Sequence, residues 1–405
     1  MTDHFLSPRG VSPRPDIHRT ASSHIIAGLA LALVVAQCLA ALFVIGEALG
    51  DLAIYRGALI HTANGGNLYE FRYEHEGRPD GYPFTYPPFA AILMFPLAWL
   101  PAGVTDILWT AGVAATAIAI ALVVAVSATT DRFSEVSGQH ASFRVRWEIV
   151  LLILALPYPL LHNVILGVIS LLIALLALVD GSGIVPTRFR GVLVGVAAAV
   201  KLTPLIFIAY FVVTRQRRAA MQAITSFSVA TAAGFLLMPS ASREYWGSRI
   251  FETGNVGEIS SGWNKAIAGL LARLGLDDVW LLVVWVVVAS IVGLMALYRA
   301  RVHYRDGDEL HAAVVVGCAS VAVSPISWAH HQVWGVLAAV VVLHTLRTRM
   351  ATAVAGGTLL VFFALSPTQG LSEGGSTAMT IAWELPTLVF VVVSLAGLPR
   401  SGRRA

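Results

Sequence analysis

Ionisable side chains stand where apolar runs end, and Asp51 is the first of them. It lies in the segment Gly50–Arg56, directly after a long apolar run. A carboxylate at a membrane boundary loses part of its hydration, which raises its pKa and suits a general base. The alternative is a solvated carboxylate at a helix end that forms an ion pair with Arg56. Spacing alone leaves both interpretations open.

Lys201 is the second residue whose position suggests chemistry, because it lies between two apolar runs at Lys201-Leu202-Thr203-Pro204. A lysine at membrane depth is rare and usually pairs with an anion. A phosphate group would be a suitable partner at such a break. Snorkelling of the side chain to a nearby interface is the alternative.

Two adjacent histidines, His330 and His331, end the segment Ser324–His331. Neighbouring side chains on a helix point in different directions, and the sequence has no HxxxH or HExxH spacing, so we expect no metal site. The pattern predicts that one histidine hydrogen-bonds a phosphate or a substrate hydroxyl while the other packs. A structural role for both histidines is the alternative.

Two further polar groups border apolar runs. The stretch Tyr82–Ala90 mixes prolines with aromatic residues and includes Tyr86. Proline fixes φ and interrupts helices, so a stiff extended segment is predicted here. Its rings are either interface anchors or a wall for a sugar or lipid. His162 and Asn163 form the second group, which capping of adjacent helices would also explain.

Apolar elements must position these residues, because hydrophobic residues make up 57% of the 405 residues and charged residues only 12%. Soluble domains carry about 25% charged residues. Runs such as Ile25–Gly46 are long enough for a spanning helix and lack the alternation of barrel strands. The sequence therefore predicts an all-α polytopic membrane protein. The net charge of +4 does not indicate nucleic acid, since the arginines cluster at span ends.

About ten to twelve membrane crossings are predicted from run length. The candidate spans are Ile25–Gly46, Val104–Ala128, Trp147–Leu161, Val164–Val179, Gly191–Val213, Ala220–Met238, Val279–Tyr298, Ala312–Ile326, His331–Leu346, Ala351–Leu365 and Met379–Leu398. Pro88–Leu100 is either a short span or an interfacial helix. Gly191–Val213 is either one span or a hairpin of two short helices that break at Lys201–Pro204.

Basic clusters orient the spans, because cytoplasmic loops are rich in arginine and lysine. Arginines near residues 215–218, 299–305, 347–349 and 400–404 predict cytoplasmic ends. Asp51–Tyr86, Pro239–Lys265 and Ser324–His331 then lie outside. The predicted organisation is a cytoplasmic tail of residues 1–24, a transmembrane domain of residues 25–398 and a cytoplasmic tail of residues 399–405.

Several of these motifs also occur together in a known family. In order along the chain they are Asp51-Leu52-Ala53-Ile54-Tyr55, Thr85–Ala91, His162-Asn163, Lys201-Leu202-Thr203-Pro204 and Ser324–His331. This set, which covers nearly the whole chain, resembles glycosyltransferase family 87, the polyprenol-phosphate-mannose-dependent mannosyltransferases of actinobacteria, which have a GT-C fold. The α-1,2-mannosyltransferases of phosphatidylinositol mannoside or lipomannan synthesis are the members it resembles most.

The resemblance implies transfer of mannose from polyprenyl-phosphate-mannose to a mannosylated glycolipid acceptor, on the extracytoplasmic face of the plasma membrane. In GT-C enzymes the acid at the end of the first span acts as base, a role that falls on Asp51. A β-linked donor and an α-linked product imply one inverting displacement, without a cofactor. Lys201 with His330 or His331 would steady the departing phosphate. The other expected substrate-binding residues are Arg56, Tyr86, His162 and Asn163.

Two other functions fit parts of the pattern. A lipid or sugar transporter also places lysine and histidine in the membrane, but it predicts broken helices in both halves, and only Lys201–Pro204 is evident. A related GT-C arabinofuranosyltransferase would use a decaprenyl-phosphate sugar. The segment Gly254–Ser260 lacks an Asn-Gln-Ser sequence that the resemblance leads us to expect, which leaves the acceptor open.

Overall fold

Helices dominate the computed structural model, which describes residues 17–45, 49–75, 78–129, 146–252, 257–345, 348–362 and 383–399. Within these ranges the strands form one antiparallel hairpin. A helix pairs its own backbone N–H and C=O groups, which lipid cannot do. The predicted all-α fold class is confirmed.

The helices and strands occur in the following order along the chain. Up to residue 129 they are α1 (Ile17–Phe43), α2 (Gly50–Ala63), β1 (Tyr73–His75), β2 (Arg78–Tyr82), α3 (Pro88–Met94) and α4 (Ala102–Thr129). From residue 147 to residue 247 they are α5 (Trp147–Ala155), α6 (Tyr158–Leu166), α7 (Ser170–Gly181), α8 (Val192–Val200), α9 (Leu205–Val213), α10 (Arg217–Leu237) and α11 (Pro239–Gly247). The remaining helices are α12 (Ile267–Arg273), α13 (Asp278–Arg305), α14 (Glu309–Val323), α15 (Val333–Thr345), α16 (Arg349–Leu360) and α17 (Leu385–Ala396). Short 3₁₀ turns lie at Phe95–Ala98, Arg249–Phe251 and Ala329–His331.

Long apolar helices support a multi-pass membrane protein. Among the described residues, α1, α4, α10 and α13 are long and apolar enough to cross a membrane. The pair α5 and α6, bent by 72°, counts as a fifth if it is one span. Other predicted spans coincide with shorter apolar helices such as α7, α14 and α17. The total of ten to twelve crossings stays a prediction.

Helices α5 and α6 end before a proline and a glycine, at positions that differ from the ends of the predicted spans. Helix α5 ends at Ala155 because Pro157 follows, and α6 ends where Gly167 adopts the left-handed conformation with φ of 63°. His162 and Asn163 were expected at span edges, but they lie inside α6. The predicted break at Lys201–Pro204 is present, since α8 ends before it and α9 begins after it.

Parts of the predicted organisation fall outside the described residues. Helix α1 begins at Ile17, within the predicted tail of residues 1–24. The rest of that tail before residue 17 and residues 400–405 are not described, nor are residues 254–256 and Arg347. The boundaries between the three predicted segments therefore stay predictions.

Two neighbouring helices show how the chain divides between core and lipid. Every residue of α14 from Leu310 to Ala322 is buried, so this helix lies at the centre of the bundle. Helix α13 packs against α14 but leaves large apolar side chains such as Trp280 and Leu294 about 70% exposed. Contiguous exposed apolar surface of this kind is stable in lipid and not in water.

Candidate active site

A cavity of about 1260 Å³ opens between the start of α2, the break after α8 and the turn after α14. Six of the eight predicted site residues line this cavity. They are Asp51, Tyr86, His162, Lys201, His330 and His331. The other two, Arg56 and Asn163, do not line it. The volume exceeds that of a typical small-molecule pocket, which leaves room for two substrates.

Asp51 is held in the first turn of α2, where a carboxylate is favoured by the helix dipole. One turn later, the Tyr55 hydroxyl lies 3.4 Å from Asp51 Oδ2 and 3.0 Å from the Tyr86 hydroxyl. Desolvation raises the pKa of Asp51 to about 6, although the charge of Lys201 and the Tyr55 hydrogen bond act in the opposite direction. The carboxyl group can therefore take up a proton near neutral pH.

Arg56 does not pair with Asp51, so the ion-pair alternative is wrong. The Arg56 guanidinium instead donates to the Leu100 carbonyl at 3.0 Å, and its charge acts on the carboxyl group of Asp106 in α4. Helical side chains face each other at spacings of three or four residues, and Arg56 is five residues after Asp51. Substrate binding by Arg56 has no support from this position.

Lys201 connects the two sides of the cavity. It ends α8 in an extended conformation, which directs its chain away from the helix axis. Its Nζ donates to Ser170 Oγ at 3.0 Å and lies 2.6 Å from His331 Nε2. The same ammonium group lies 5.3 Å from the ring centroid of Tyr86, within the range of a cation–π contact.

The two histidines lie in the 3₁₀ turn Ala329–His331, so their rings meet rather than diverge as they would on an α-helix. Their centroids are 4.1 Å apart, and both rings line the cavity. The backbone N–H of Trp328 donates to His331 Nδ1 at 2.9 Å, which directs Nε2 toward Lys201. Across the described residues, no group of three or more histidine, cysteine, aspartate or glutamate side chains is arranged to hold a metal ion.

His162 and Asn163 have different positions although they are neighbours in α6. The His162 ring stacks between Tyr158, at 5.0 Å, and Trp263, at 6.2 Å. It also borders the cavity. Asn163 is fully buried, and its amide donates to the His330 carbonyl at 2.8 Å. Asn163 therefore lies behind the cavity wall, where it cannot bind substrate directly.

The cavity is also lined by residues that were not predicted as site residues, among them Tyr55, Trp263 and Trp328. Tyr55 could have been found, because its spacing of four from Asp51 places both on one helix face. Trp263 and Trp328 line the cavity from two distant segments. Aromatic residues near a membrane interface are common, so their sequence positions give no signal for a site.

An acid lies on one side of this cavity and a lysine–histidine pair on the other, within a bundle whose long apolar helices are typical of a multi-pass membrane protein. The family model described as Glycosyltransferase family 87 matches residues 84–325. This chain belongs to glycosyltransferase family 87, a GT-C membrane family, and is a glycosyltransferase. The predicted family is confirmed, and the transporter alternative is wrong.

Curated relatives extend the similarity beyond the matched region. A polyprenol-phosphate-mannose-dependent alpha-(1-2)-phosphatidylinositol mannoside mannosyltransferase of Mycobacterium tuberculosis (strain ATCC 25618 / H37Rv) is 32% identical, over 86% of this chain and 80% of that protein. The protein of the same name from Mycolicibacterium smegmatis (strain ATCC 700084 / mc(2)155) is 33% identical, over 69% of this chain and 62% of that protein. A polyprenol-phosphate-mannose-dependent alpha-(1-2)-phosphatidylinositol pentamannoside mannosyltransferase from that strain is 29% identical, over 70% of this chain and 67% of that protein.

Proposed function

We propose that this protein transfers mannose from polyprenyl-phosphate-mannose to a mannosylated glycolipid acceptor of the phosphatidylinositol mannoside or lipomannan type, forming an α-1,2 linkage. The names of its relatives support the donor and the acceptor class. The observation that carries the proposal is the placement of Asp51 and the Lys201–His331 pair around one cavity. An arabinofuranosyl donor has no comparable support, since these relatives are mannosyltransferases.

Hydrogen-bond donors converge at Lys201 and His331. Because His331 Nδ1 accepts from the Trp328 backbone, the proton of the neutral imidazole is on Nε2. Lys201 Nζ lies 2.6 Å from His331 Nε2, and both residues line the cavity. A phosphate oxygen in the cavity would accept from both groups. Hydrogen bonds between charged partners are about twice as strong as neutral ones.

The chemistry is a single displacement at the anomeric carbon of the donor. The acceptor hydroxyl oxygen forms the new bond, and the bond from the anomeric carbon to the phosphate oxygen breaks. Polyprenyl phosphate leaves with the electron pair, and Asp51 takes the hydroxyl proton. A β-linked donor gives an α-linked product by this inversion. The leaving phosphate carries its own charge, so stabilisation by Lys201 and His331 replaces a strong general acid.

The proposal includes a reaction on the extracytoplasmic side of the membrane. Exposed Arg217 begins α10 within an arginine cluster, which the positive-inside rule assigns to the cytoplasm. Cysteine labelling of intact cells tests this placement in a background that lacks Cys38 and Cys318. Asn64→Cys, at the exposed end of α2, should react with an impermeant maleimide, and Arg217→Cys should react only after permeabilisation. Labelling of Arg217→Cys in intact cells would overturn the topology.

The activity itself is tested with purified protein and radiolabelled polyprenyl-phosphate-mannose. A panel of phosphatidylinositol mannosides and lipomannan fragments serves as acceptors, with decaprenyl-phosphate-arabinose as the competing donor. We expect mannose to appear in an α-1,2 linkage on at least one mannosylated lipid. Transfer of arabinose but not of mannose would show that the donor is wrong. Transfer of mannose in another linkage would correct only the linkage.

A further inference from the structure

The segment Ser324–His331, named here the histidine turn, carries both cavity histidines but has little regular structure of its own. It leaves α14 at Ser324, and its regular part is the single 3₁₀ turn at its end. Such a segment needs bonds to the rest of the fold to hold its side chains in place. Two buried asparagines that are distant in the sequence supply such bonds.

Asn264 holds the first half of the histidine turn. Its Nδ2 donates to the carbonyls of Pro325 and Ile259, each at 3.0 Å. Its Oδ1 accepts from the backbone N–H of Ser327 at 3.0 Å and of Ala266 at 3.1 Å. Both amide protons and the amide oxygen are therefore used, and the side chain is fully buried. The Asn264 amide therefore hydrogen-bonds the backbone of the histidine turn as a neighbouring strand would.

Asn163 holds the other half. Its Nδ2 donates to the His330 carbonyl and to the Pro159 carbonyl, both at 2.8 Å. The side chain has no exposed surface. Pro159 and Asn163 both lie in α6, so this amide connects the backbone of the histidine pair to that helix.

We propose that Asn163 and Asn264 are positioning residues that clamp the histidine turn, so that His331 Nε2 and Lys201 Nζ converge on the donor phosphate. The clamp rests on the proposed donor site. It acts through His331, whose ring is fixed in turn by the Trp328 N–H. Neither asparagine lines the cavity, so neither contacts substrate. Misplacing a substrate-binding group by about 1 Å can cost on the order of 100-fold in rate.

A double-mutant cycle on donor KM tests the clamp, because residues that act through one group are not additive. Asn163→Ala and Asn264→Ala should each raise the KM for polyprenyl-phosphate-mannose roughly 10- to 100-fold in the wild-type background. Each should raise it less than about twofold further in the His331→Ala background, where the positioned group is gone. If either variant does not fold, Asn264→Asp or Asn163→Asp, which keep the side-chain size, take its place in the same cycle.

Gln37→Ala is the matched control. Gln37 Nε2 donates to the Ala155 carbonyl at 2.7 Å, which is the same kind of buried amide bond between distant segments. It does not line the cavity. We expect this variant to lower the melting temperature in detergent while leaving donor KM unchanged in both backgrounds.

The outcomes separate the clamp from the function on which it rests. Equal fold-increases in donor KM in the wild-type and His331→Ala backgrounds would overturn the clamp, because they would show a general structural effect. An unchanged donor KM in Asn163→Ala and Asn264→Ala would overturn it as well. If His331→Ala alone leaves donor KM unchanged while mannose transfer persists, the donor-site assignment fails and the clamp fails with it.

Discussion

The two walls of the cavity are built in opposite ways. The acid wall, formed by Asp51, Tyr55 and Tyr86, comes from one stretch of chain, and its members meet through helix spacing and ring packing. The cation wall, formed by Lys201 and the histidine turn, joins segments that are more than a hundred residues apart. We therefore expect substitutions in the acid wall to lower activity by removing a chemical group. Substitutions around the cation wall should also lower activity by misplacing its groups.

Ring packing makes the acid wall stiff. The Tyr55 ring meets Tyr86 edge-to-face at 5.4 Å and Phe84 at 6.3 Å, and it also meets Trp109 of α4 at 6.0 Å. These rings belong to an apolar cluster that covers the start of α2. Aromatic pairs of this kind contribute about 0.5–1.5 kcal/mol each beyond the area that they bury. Substitution of a single polar group here should leave the fold intact.

The largest effect is expected for Asp51→Asn, which keeps the size of the side chain and removes its basicity. The loss of a positioned base typically costs on the order of 10²–10⁴-fold in rate. Single-turnover transfer of radiolabelled mannose should fall by this factor while donor binding persists. Asp106→Asn is the matched control, because Asp106 is a carboxylate on α4 that does not line the cavity. This variant should keep the wild-type rate of mannose transfer. Wild-type turnover in Asp51→Asn would show that the acid wall is not catalytic.

Lys201→Met should have the next largest effect, because it removes the charge of the cation wall but keeps the length of the side chain. Hydrogen bonds to charged groups contribute about 1.5–3 kcal/mol, which corresponds to roughly 10- to 150-fold in donor affinity. Equilibrium binding of polyprenyl phosphate to the purified variant measures this loss of affinity. An unchanged affinity would mean that the ammonium group has no part in phosphate binding.

The pH dependence of kcat/KM tests whether the charge of the cation wall acts on the acid wall. Asp51 acts as base when it is deprotonated, so kcat/KM should fall as the pH drops through about 6, the raised pKa of its carboxyl group. The charge of Lys201 lowers this pKa, so Lys201→Met should move the acidic limb to higher pH. Ser170→Ala keeps the charge and should leave the limb in place. An identical limb in Lys201→Met would show that the walls are electrostatically independent.

The smallest effect is expected for Ser170→Ala on donor binding. Ser170 Oγ accepts one hydrogen bond from Lys201 Nζ and can orient the ammonium group. A bond of this kind is worth about 0.5–1.5 kcal/mol, or roughly 2- to 10-fold in donor KM. A loss as large as that of Lys201→Met would indicate that orientation, rather than charge, is what the cation wall supplies.

The sequence by itself determined the class of the molecule. Its low charge and long apolar runs allow only helices in lipid, and the order of its motifs identified the family. The break at Lys201–Pro204 was also readable, because proline interrupts a helix. The exact ends of α5 and α6 could not be predicted from the sequence, because apolar periodicity does not show which proline or glycine ends a short helix.

Only the tertiary structure decided which polar residues meet. Asp51 and Arg56 are close in sequence but have different partners, because five residues on a helix point two side chains apart. Lys201 and His331 are far apart in sequence but lie within 2.6 Å, because packing of α8 against neighbouring helices brings the break after it to the histidine turn. The bonds of Asn163 and Asn264 to that turn depend on burial in the folded protein, which no local pattern records.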